Sequence, residues 1–517
     1  MQLRTLLNGF ATCNHDAAIT GLSLDSRKIK AGHVFVALEV ADQAVIQHVK
    51  QALALGACAV IYDPNDTVLR RWLAEPVLDA SEKKPIDTCA FIALPTLASQ
   101  LGALAARFYA HPSEKLAIIG ITGTNGKTSC SQFLGQLLDS CGIIGTLGWG
   151  VWGQLALTGY TTPDALATQA MLAEFVNQAQ RNVVMEVSSH GLAEGRVNAV
   201  RFKGVVLTNI SRDHLDFHGS MENYIATKQA LFTHSDTEFA VFNLDDALSE
   251  QFIAIVPEQV AIWGFCILAT TISGAMHRNA ALVGNNKRVY AQNISHHVDG
   301  LSFELGWQDQ LQTICVPLYG EFNVENLLAV VTVLLAMGQS LAAISANLQR
   351  LKPVTGRMQR FGNLHSALIF VDYAHTPDAL EKALISARQH CQRNVWVVFG
   401  CGGDRDAGKR SQMGACAQKY ADHVIITDDN PRSENPAAIT QAILSGCQSN
   451  QGQSTANITV IHDREQAIRT VIAQASTEDC IVIAGKGHEL YQEYHDKKIL
   501  FSDEQVVMNS LKEWEAR

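Results

Sequence analysis

Apolar runs of strand length alternate along the chain with longer stretches in which apolar residues recur every three to four positions, the pattern of α/β architecture. Residues 33–38 (HVFVAL) and 57–62 (ACAVIY) predict strands, and residues 47–55 a helix between them. A further helix is expected over residues 96–109, ended by the breaker His111-Pro112-Ser113. Residues 115–121 (KLAIIGI) predict a buried strand that runs into a glycine-rich loop. After the loop, Phe133, Leu134, Leu137, Leu138 and Cys141 recur at helical spacing, and Gly142 is expected to close that helix. Residues 182–187 (NVVMEV) and 204–210 (GVVLTNI) predict two more strands. The most apolar segment, residues 327–344, is interrupted by Thr332, Gly338, Gln339 and Ser340, so a buried helix is expected there and not a membrane span. Beyond residues 351–356 (LKPVTG), strands at 368–371, 395–399, 423–427, 458–461 and 480–484 alternate with helical patterns, as in a doubly wound sheet.

Composition narrows the class without changing this picture. A length of 517 residues suggests about three domains, and the breakers place their limits at 1–111, 112–352 and 353–517. Hydrophobic residues make up 47% and charged residues 17%, which excludes a disordered or fibrous chain. Lys+Arg 40 against Asp+Glu 50 leaves a net charge of −10, which argues against bulk binding of nucleic acid or acidic membrane but leaves room for a local basic pocket. The first residues, MQLRTLLNGFATCNHD, lack the apolar core of a signal peptide. The 12 cysteines include no C-x-x-C pair, so neither a zinc site nor a disulfide framework is indicated. A cytoplasmic location without membrane insertion is expected.

The loop Gly120-Ile121-Thr122-Gly123-Thr124-Asn125-Gly126-Lys127-Thr128 lies between a predicted strand and a predicted helix. Glycines there let backbone N–H groups approach phosphate, and the helix N-terminus adds its dipole. Lys127 can reach terminal phosphates and the Thr128 hydroxyl can ligate Mg²⁺. The spacing departs from the usual phosphate-loop pattern, because the first glycine would fall at position 121, which is Ile. A tight turn containing Gly-Lys-Thr is the plainer reading; the flanking elements favour nucleotide binding.

Polar residues end the following strands. Glu186 precedes Val187-Ser188-Ser189-His190-Gly191, where a carboxylate could hold Mg²⁺ or the cluster could be an ordinary polar turn. His214 or Asp213, in the loop after residues 204–210, could serve the same metal, although a single loop histidine is more often a surface residue. With Ser220 as N-cap, residues 221–232 predict a helix in which Tyr224, Ile225, Lys228, Leu231 and Phe232 share one face. Lys228 is therefore either a lysine snorkelling out of an apolar stripe, which the pattern alone favours, or an interior amine of lowered pKa able to take up CO₂ as a carbamate. In the last third, four strand ends carry charged or glycine-rich termini: Val371-Asp372-Tyr373-Ala374-His375-Thr376-Pro377, Gly400-Cys401-Gly402-Gly403-Asp404-Arg405-Asp406, Asp428-Asp429-Asn430-Pro431-Arg432 and Gly485-Lys486-Gly487-His488-Glu489. Together they read as a ligand crevice at one sheet edge.

Assembled, the stretches GTNGKT, MEVSSHGL, TNISRDHLDFHG, GRMQ, VDYAHTPDAL, GCGGDRDAGKR and DDNPR resemble the Mur ligase family, ATP-dependent amide-forming enzymes of bacterial cell-wall precursor synthesis. The resemblance runs through essentially the whole chain. It implies an N-terminal α/β domain for a uridine nucleotide, a central phosphate-loop ATPase domain with a mostly parallel sheet, and a C-terminal Rossmann-like domain that brings the amino acid. The Asp429 to Arg432 stretch resembles members that join meso-diaminopimelate to UDP-N-acetylmuramoyl-L-Ala-D-Glu, through an acyl phosphate.

The resemblance further implies roles residue by residue. Leu24, Ser26, Thr161, Thr162, Ser189 and Arg196 would hold the uridine-linked substrate. Gly123, Thr124, Asn125, Gly126, Lys127, Thr128, Ser129, Asn323 and Arg357 would bind ATP. Arg410, Asp429, Asn430, Pro431, Arg432, Gly485 and Glu489 would bind diaminopimelate. Lys127, Lys228, Glu186 and His214 would be catalytic, with Thr128, Glu186, His214 and a CO₂-derived carbamate on Lys228 as Mg²⁺ ligands; a monomer is expected. Glu39-Val40-Ala41-Asp42-Gln43-Ala44-Val45 lacks the family's glycine, and Glu194 stands where the family usually has Gln. The rival readings are a folylpolyglutamate synthetase, a lysine-adding relative and a nucleotide-switched binding module.

Overall fold

The computed structural model describes residues 1–38, 44–74, 89–268, 282–363, 365–448, 456–495 and 497–515. Glu39, Val40, Ala41, Asp42 and Gln43, where the family pattern is not kept, lie outside the described residues. The chain forms two compact units, Met1–Ile119 with Ser140–Lys203, and Gly120–Asp139 with Gly204–Arg517.

The first unit opens with a parallel four-stranded sheet, β1 (Gly21–Ser23), β2 (His33–Ala37), β3 (Ala59–Tyr62) and β4 (Ala90–Ala93), in that order. Successive residues of a strand face opposite ways, so one face carries Val34, Val36, Ala59, Ile61 and Ile92 onto helix Leu97–Phe108. The other carries Phe35, Ala37 and Val60 onto Val45 and Val49 of helix Ala44–Ala54. Both faces are covered, as parallel sheets require. Gly102 lets the helix Leu97–Phe108 approach closely, because a Cβ there would stand 3.3 Å from Ala199 and 3.8 Å from Ala165 at the start of helix Ala165–Asn177. β5 (Ala117–Thr122) starts in this unit, where Ala117 N–H donates to the Arg181 carbonyl and Lys203 N–H to that of Ile118. β6 (Cys141–Gly145), β7 (Gly148–Val151) and β8 (Gln154–Ala156) form an antiparallel meander, and β9 (Asn182–Glu186) runs parallel to β6.

This corrects the expected end of the helix after the phosphate loop. That helix is Lys127–Leu137, and Cys141 and Gly142 begin a strand. Ser140, at φ 49°, turns the chain out of the helix, and Gly142 lies beneath the Phe175 ring, whose atoms would stand 2.6 Å from a Cβ. Its glycine serves sheet packing, not helix capping.

In the second unit β10 (Gly204–Leu207), β11 (Phe239–Asn243), β12 (Ala261–Ile267) and β13 (Arg288–His297) pair in parallel, and β14 (Gly300–Trp307) and β15 (Gln310–Val316) extend β13 as an antiparallel meander. The apolar segment expected as one buried helix is two, Glu321–Ala336 and Leu341–Leu348. Gly338, at φ 89°, ends the first, and the Ser340 side chain accepts the Ala343 N–H to start the second. Helix Glu321–Ala336 is buried on nearly all sides because the β-sheet and the phosphate-loop helix both pack on it.

The last sheet contains β16 (Gln359–Phe361), β17 (Leu368–Asp372), β18 (Val395–Phe399), β19 (His423–Ile426), β20 (Asn457–Val460) and β21 (Cys480–Ala484), in the order β16-β17-β21-β18-β19-β20 with only β16 antiparallel. Phe370, Val397, Phe399, Val424 and Val482 fill one side, and Ile369, Val371, Val398, Ile425 and Ile483 the other, which is the doubly wound arrangement the alternation predicts. A hairpin, β22 (Tyr491–Tyr494) and β23 (Lys497–Leu500), follows. Among the described residues, no helix is long and apolar enough to cross a membrane.

Behind the last sheet lies a fully buried ion pair. Arg464 Nε and Nη2 donate to the two Asp503 carboxylate oxygens at 2.7 and 2.8 Å, and Nη2 also donates to the Ala484 carbonyl at the end of β21. Arg464→Met alone strands Asp503 without a counter-charge and is expected to cost about 3–5 kcal/mol. The double variant Arg464→Met, Asp503→Leu is expected to lose less than half of that in urea unfolding. Equal losses in the two variants would show that the pair carries no such coupling.

Candidate functional site

In the second unit, β5 delivers the chain into the phosphate loop at Thr122, and the helix begins at Lys127. Gly123 and Gly126 take φ 140° and 88°, conformations that L side chains rarely adopt. Their lack of a side chain is also required by contact. A Cβ on Gly123 would run into Thr208 Oγ1, and one on Gly126 into Asn326 Oδ1. The loop is held from β10's end: Thr208 Oγ1 donates to the Asn125 carbonyl at 2.6 Å, Asn209 Oδ1 accepts the Asn125 N–H at 2.9 Å, and Asn243 Nδ2 donates to the Thr208 carbonyl at 3.0 Å. Thr124 Oγ1 lies 3.0 Å from the Tyr224 hydroxyl, and Ser129 is buried on the first turn of the helix.

Two lysines meet at this loop. Lys127 Nζ donates to the Gly123 and Thr124 carbonyls at 2.8 and 2.9 Å, and Lys228 Nζ donates to the same Gly123 carbonyl at 2.9 Å. Lys228 is 1% exposed, on helix Met221–Gln229 capped by Ser220. Burial, followed by the like charge of Lys127, pushes its pKa well below the ordinary lysine value. It is thus interior, not snorkelling, and its amine is shifted toward the neutral form that reacts with CO₂. The Tyr224 ring lies 4.8 Å from Nζ.

The stretches around residues 213, 357 and 375 converge on the same loop. Arg357 Nη2 donates to Thr128 Oγ1 at 3.1 Å while its guanidinium lies 4.5 Å from the Tyr373 ring centre. Asn125 Nδ2 donates to Asp378 Oδ2 at 2.9 Å. Asp213 is buried, with His214 Nε2 3.3 Å and His375 Nε2 3.8 Å from Oδ2. Burial acts to raise the Asp213 pKa, but the His375 hydrogen bond and the charges of His214, His375 and Lys409 outweigh it and hold the carboxyl well below its usual value. Asn323 stands behind the loop, donating to the Tyr319 carbonyl at 2.8 Å and accepting from Asn326 Nδ2 at 3.2 Å. Asn326, one helical turn on, is the residue against Gly126; the i, i+3 repeat of Asn along this apolar helix was the available signal for it.

The first unit gathers a separate polar cluster. Thr146, on the turn after β6, donates through its N–H (3.1 Å) and hydroxyl (2.8 Å) to the two oxygens of the buried Glu186 carboxylate at the end of β9. Thr146 and Thr161 hydroxyls are 3.0 Å apart, and Thr162 Oγ1 donates to the Glu186 carbonyl at 2.9 Å. Arg196 Nη1 donates to the Thr162 carbonyl at 2.7 Å, and its other face pairs with Glu194 at 2.5 Å. Glu194, the departure from the family pattern, therefore balances the charge of Arg196. Ser189 Oγ is buried without a hydrogen-bond partner. Around the N-terminal sheet, Leu24 follows β1, and Ser26 Oγ donates to Gln51 Oε1 at 2.7 Å. Asp25 caps the following turn and pairs with Arg27, which holds its carboxyl down to about 2.

The strand ends of the last sheet form the third cluster. Arg410 donates through Nη1 and Nη2 to both oxygens of Glu434, and Arg432 donates through Nε to Glu493 (3.1 Å) and through Nη1 to the Gly403 carbonyl (2.7 Å). Arg432 sits at φ 53°, directly after Pro431. Asn430 Nδ2 and Lys486 Nζ both donate to Glu489 Oε2, at 2.9 and 2.7 Å, and Lys486 is fully buried. Asp429 lies where a Cβ on Gly485 would come within 2.8 Å of Oδ2. Glu434 and Glu493 were not singled out from the sequence, because a counter-charge is recognisable only once its partner's position is known.

Residues 121–334 match the Mur ligase middle domain, and residues 356–487 the Mur ligase glutamate ligase domain. A protein of Haemophilus influenzae (strain 86-028NP) described as UDP-N-acetylmuramoyl-L-alanyl-D-glutamate--2,6-diaminopimelate ligase is 39% identical over 518 residues, 99% of this chain and 100% of its own. The chain belongs to the Mur ligase family. A Pseudomonas aeruginosa protein of the same description is 42% identical over 98% of both chains. A solved structure under that description shares 34% identity, with a TM-score of 0.62 over 96% of this chain and 95% of its own. The Thermotoga maritima MurF ligase in complex with ADP, 16% identical at TM-score 0.62 over 96% and 98%, shares the fold. As a Mur ligase, the chain is an ATP-dependent ligase of α/β fold.

Gly126→Ala is expected to reduce ATP binding by at least about tenfold, since the added Cβ meets Asn326 Oδ1 at a backbone conformation that already strains L residues. Gly153→Ala, at positive φ with no atom within 4 Å, is the control for backbone strain alone. Equal nucleotide affinity of the two variants in calorimetric titration would refute the steric argument.

Proposed function

We propose that this Mur ligase joins meso-diaminopimelate to the D-Glu of UDP-N-acetylmuramoyl-L-Ala-D-Glu, using ATP, in peptidoglycan precursor synthesis. The observation that carries this reading is the full-length identity of 39–42% with relatives described by that reaction. Asp429, Asn430, Pro431 and Arg432 at the edge of the last sheet support it. The assigned domains are residues 1–111 for the uridine nucleotide, 112–352 for ATP and 353–517 for the amino acid.

In the proposed reaction the D-Glu γ-carboxylate attacks the γ-phosphorus of ATP, the bond to the bridging oxygen breaks, and an acyl phosphate and ADP result. The amine of diaminopimelate then attacks the acyl carbon, phosphate departs with the bonding pair, and a proton is lost to give the amide. The first step brings one anion to another, so the site must supply positive charge. Lys127, together with Gly123, Thr124, Asn125, Gly126, Thr128 and Ser129, is assigned to the phosphates, with Asn323 and Arg357 supporting the nucleotide. Leu24, Ser26, Thr161, Thr162, Ser189 and Arg196 are assigned to the uridine-linked substrate. Arg410, Asp429, Asn430, Pro431, Arg432, Gly485 and Glu489 are assigned to diaminopimelate, arginine suiting its carboxylates and Glu489 its distal ammonium.

Among the described residues no group of three or more His, Cys, Asp or Glu side chains is arranged to hold a metal ion. Mg²⁺ does not need one, since it keeps several waters and binds through one or two carboxylates plus substrate phosphates. The Thr128 hydroxyl, Glu186, His214 and a carbamate on Lys228 are its proposed ligands. When bound, Mg²⁺ neutralises charge on the phosphate oxygens. The lowered Lys228 pKa fits carbamylation, and a carbamate would reverse that residue's charge.

Phosphate release with ATP, Mg²⁺ and the uridine-linked dipeptide is expected with meso-diaminopimelate and not with L-lysine or without amino acid. Lysine lacks the second carboxylate and would leave a buried guanidinium donor, such as Arg410 Nε–H, without a partner, so discrimination should be strong. Turnover with lysine would overturn the specificity, and slow hydrolysis indifferent to amino acid would favour a nucleotide switch. Lys127→Ala is expected to lose activity by about 10²–10³-fold or more while the last sheet stays folded by circular dichroism. Removal of dissolved CO₂ is expected to lower wild-type activity, with bicarbonate restoring it; a response of Lys228→Arg to bicarbonate would count against a carbamate at this position.

A further inference from the structure

Arg410 is 4% exposed, on the first turn of helix Gly408–Tyr420, and its five N–H groups are unevenly used. Nη1 and Nη2 donate to Glu434 Oε2 and Oε1 at 2.9 and 2.8 Å, and Nη2 also donates to the Gly402 carbonyl at 3.2 Å. Nε–H, equally buried, has no partner. A buried guanidinium donor left unpaired is costly unless a ligand completes it.

Glu434 is itself fixed. Its Oε1 accepts the Asp404 N–H at 2.6 Å, and Asp404 in turn accepts the Ser433 N–H (3.1 Å) and hydroxyl (2.7 Å). The loops after β18 and β19 are thereby laced together through Glu434, with Arg410 as the third member. The Arg410 hydrogen bonds hold the Glu434 carboxyl below its ordinary pKa, so it is an anion at neutral pH. A ligand carboxylate that displaced Glu434 would have to break three hydrogen bonds; one that approached Nε–H would break none.

We infer that Glu434 is a positioning residue for amino-acid recognition: it occupies the end-on fork of Arg410 and thereby presents Nε–H as the donor for a carboxylate of the incoming amino acid. This inference rests on the assignment of meso-diaminopimelate as that amino acid. Glu434 touches no reacting atom in this scheme and acts through Arg410.

The test is steady-state kinetics of Glu434→Gln and Glu434→Asp with meso-diaminopimelate as the varied substrate. A Gln amide presents a donor to one guanidinium nitrogen and frees Arg410 to rotate. KM for meso-diaminopimelate is therefore expected to rise by about 10- to 100-fold, by more than kcat falls, with KM for ATP unmoved. Glu434→Asp keeps the anion and is expected to recover most of the affinity, which a general loosening of the fold would not do. Should the Gln variant fail to fold, the Asp variant carries the test, with a rise in KM of about threefold expected for its shorter reach. An unchanged KM in the folded variants, or a lowered one, which would mean that Glu434 competes with the substrate, overturns the inference. Absence of diaminopimelate-dependent turnover in the wild-type protein would instead overturn the functional assignment beneath it.

Discussion

Two ammonium groups, those of Lys127 and Lys228, reach one backbone oxygen, the carbonyl of Gly123. Like charges at that spacing repel, and burial removes the water that would screen them. The loop tolerates the arrangement because Gly123 and Gly126 bend it so that the Gly123 and Thr124 carbonyls point at the lysines. Thr208 and Asn209 at the end of β10 and Asn326 on helix Glu321–Ala336 hold that bend from two other elements. The cost falls on Lys228, whose proton is held weakly. The surrounding β-sheet ends, the asparagine helix and the capped helix of Lys228 all serve to keep this crowded turn in place.

Much of this was readable from the chain, and what was not has a common cause. Periodicity located the five parallel strands of the last sheet to within about a residue, since each is a short apolar run bounded by polar residues, but not the short antiparallel edge strand β16. The phosphate loop was legible from glycine, lysine and threonine between two predicted elements. Gly142 misled because a glycine after an apolar period looks like a helix stop, whereas here it makes room for Phe175, an interaction 33 positions away. The apolar run through residues 327–344 misled in the other direction: Gly338, Gln339 and Ser340 were visible as interruptions, but they end one helix and cap a second, which was not expected. Lys228 illustrates the limit: its position on the apolar face was visible, but whether it snorkels depends on how much covers it. Ser189 shows the same limit from the polar side, for its buried, unpartnered hydroxyl has no signature in the local sequence.

Counter-charge is a recurring device in this molecule. Glu194 on Arg196, Glu434 on Arg410, Glu493 on Arg432 and Lys486 on Glu489 each place an opposite charge against a residue assigned to substrate. An isolated buried guanidinium would be costly to keep. Pairing removes most of that cost and fixes the planar fork in one orientation.

Two hydrogen bonds of the phosphate loop go to residues far along the chain, from Asn125 to Asp378 and from Arg357 to Thr128. Arg357 and Asp378 both belong to residues 356–487, the stretch that matches the Mur ligase glutamate ligase domain. A ligand that made or broke these two tethers on binding at the loop would be coupled to the segment that holds their other ends, and by reciprocity equally in return. Two stretches 229 to 253 residues apart in sequence are thus tied to one another at an asparagine and an arginine.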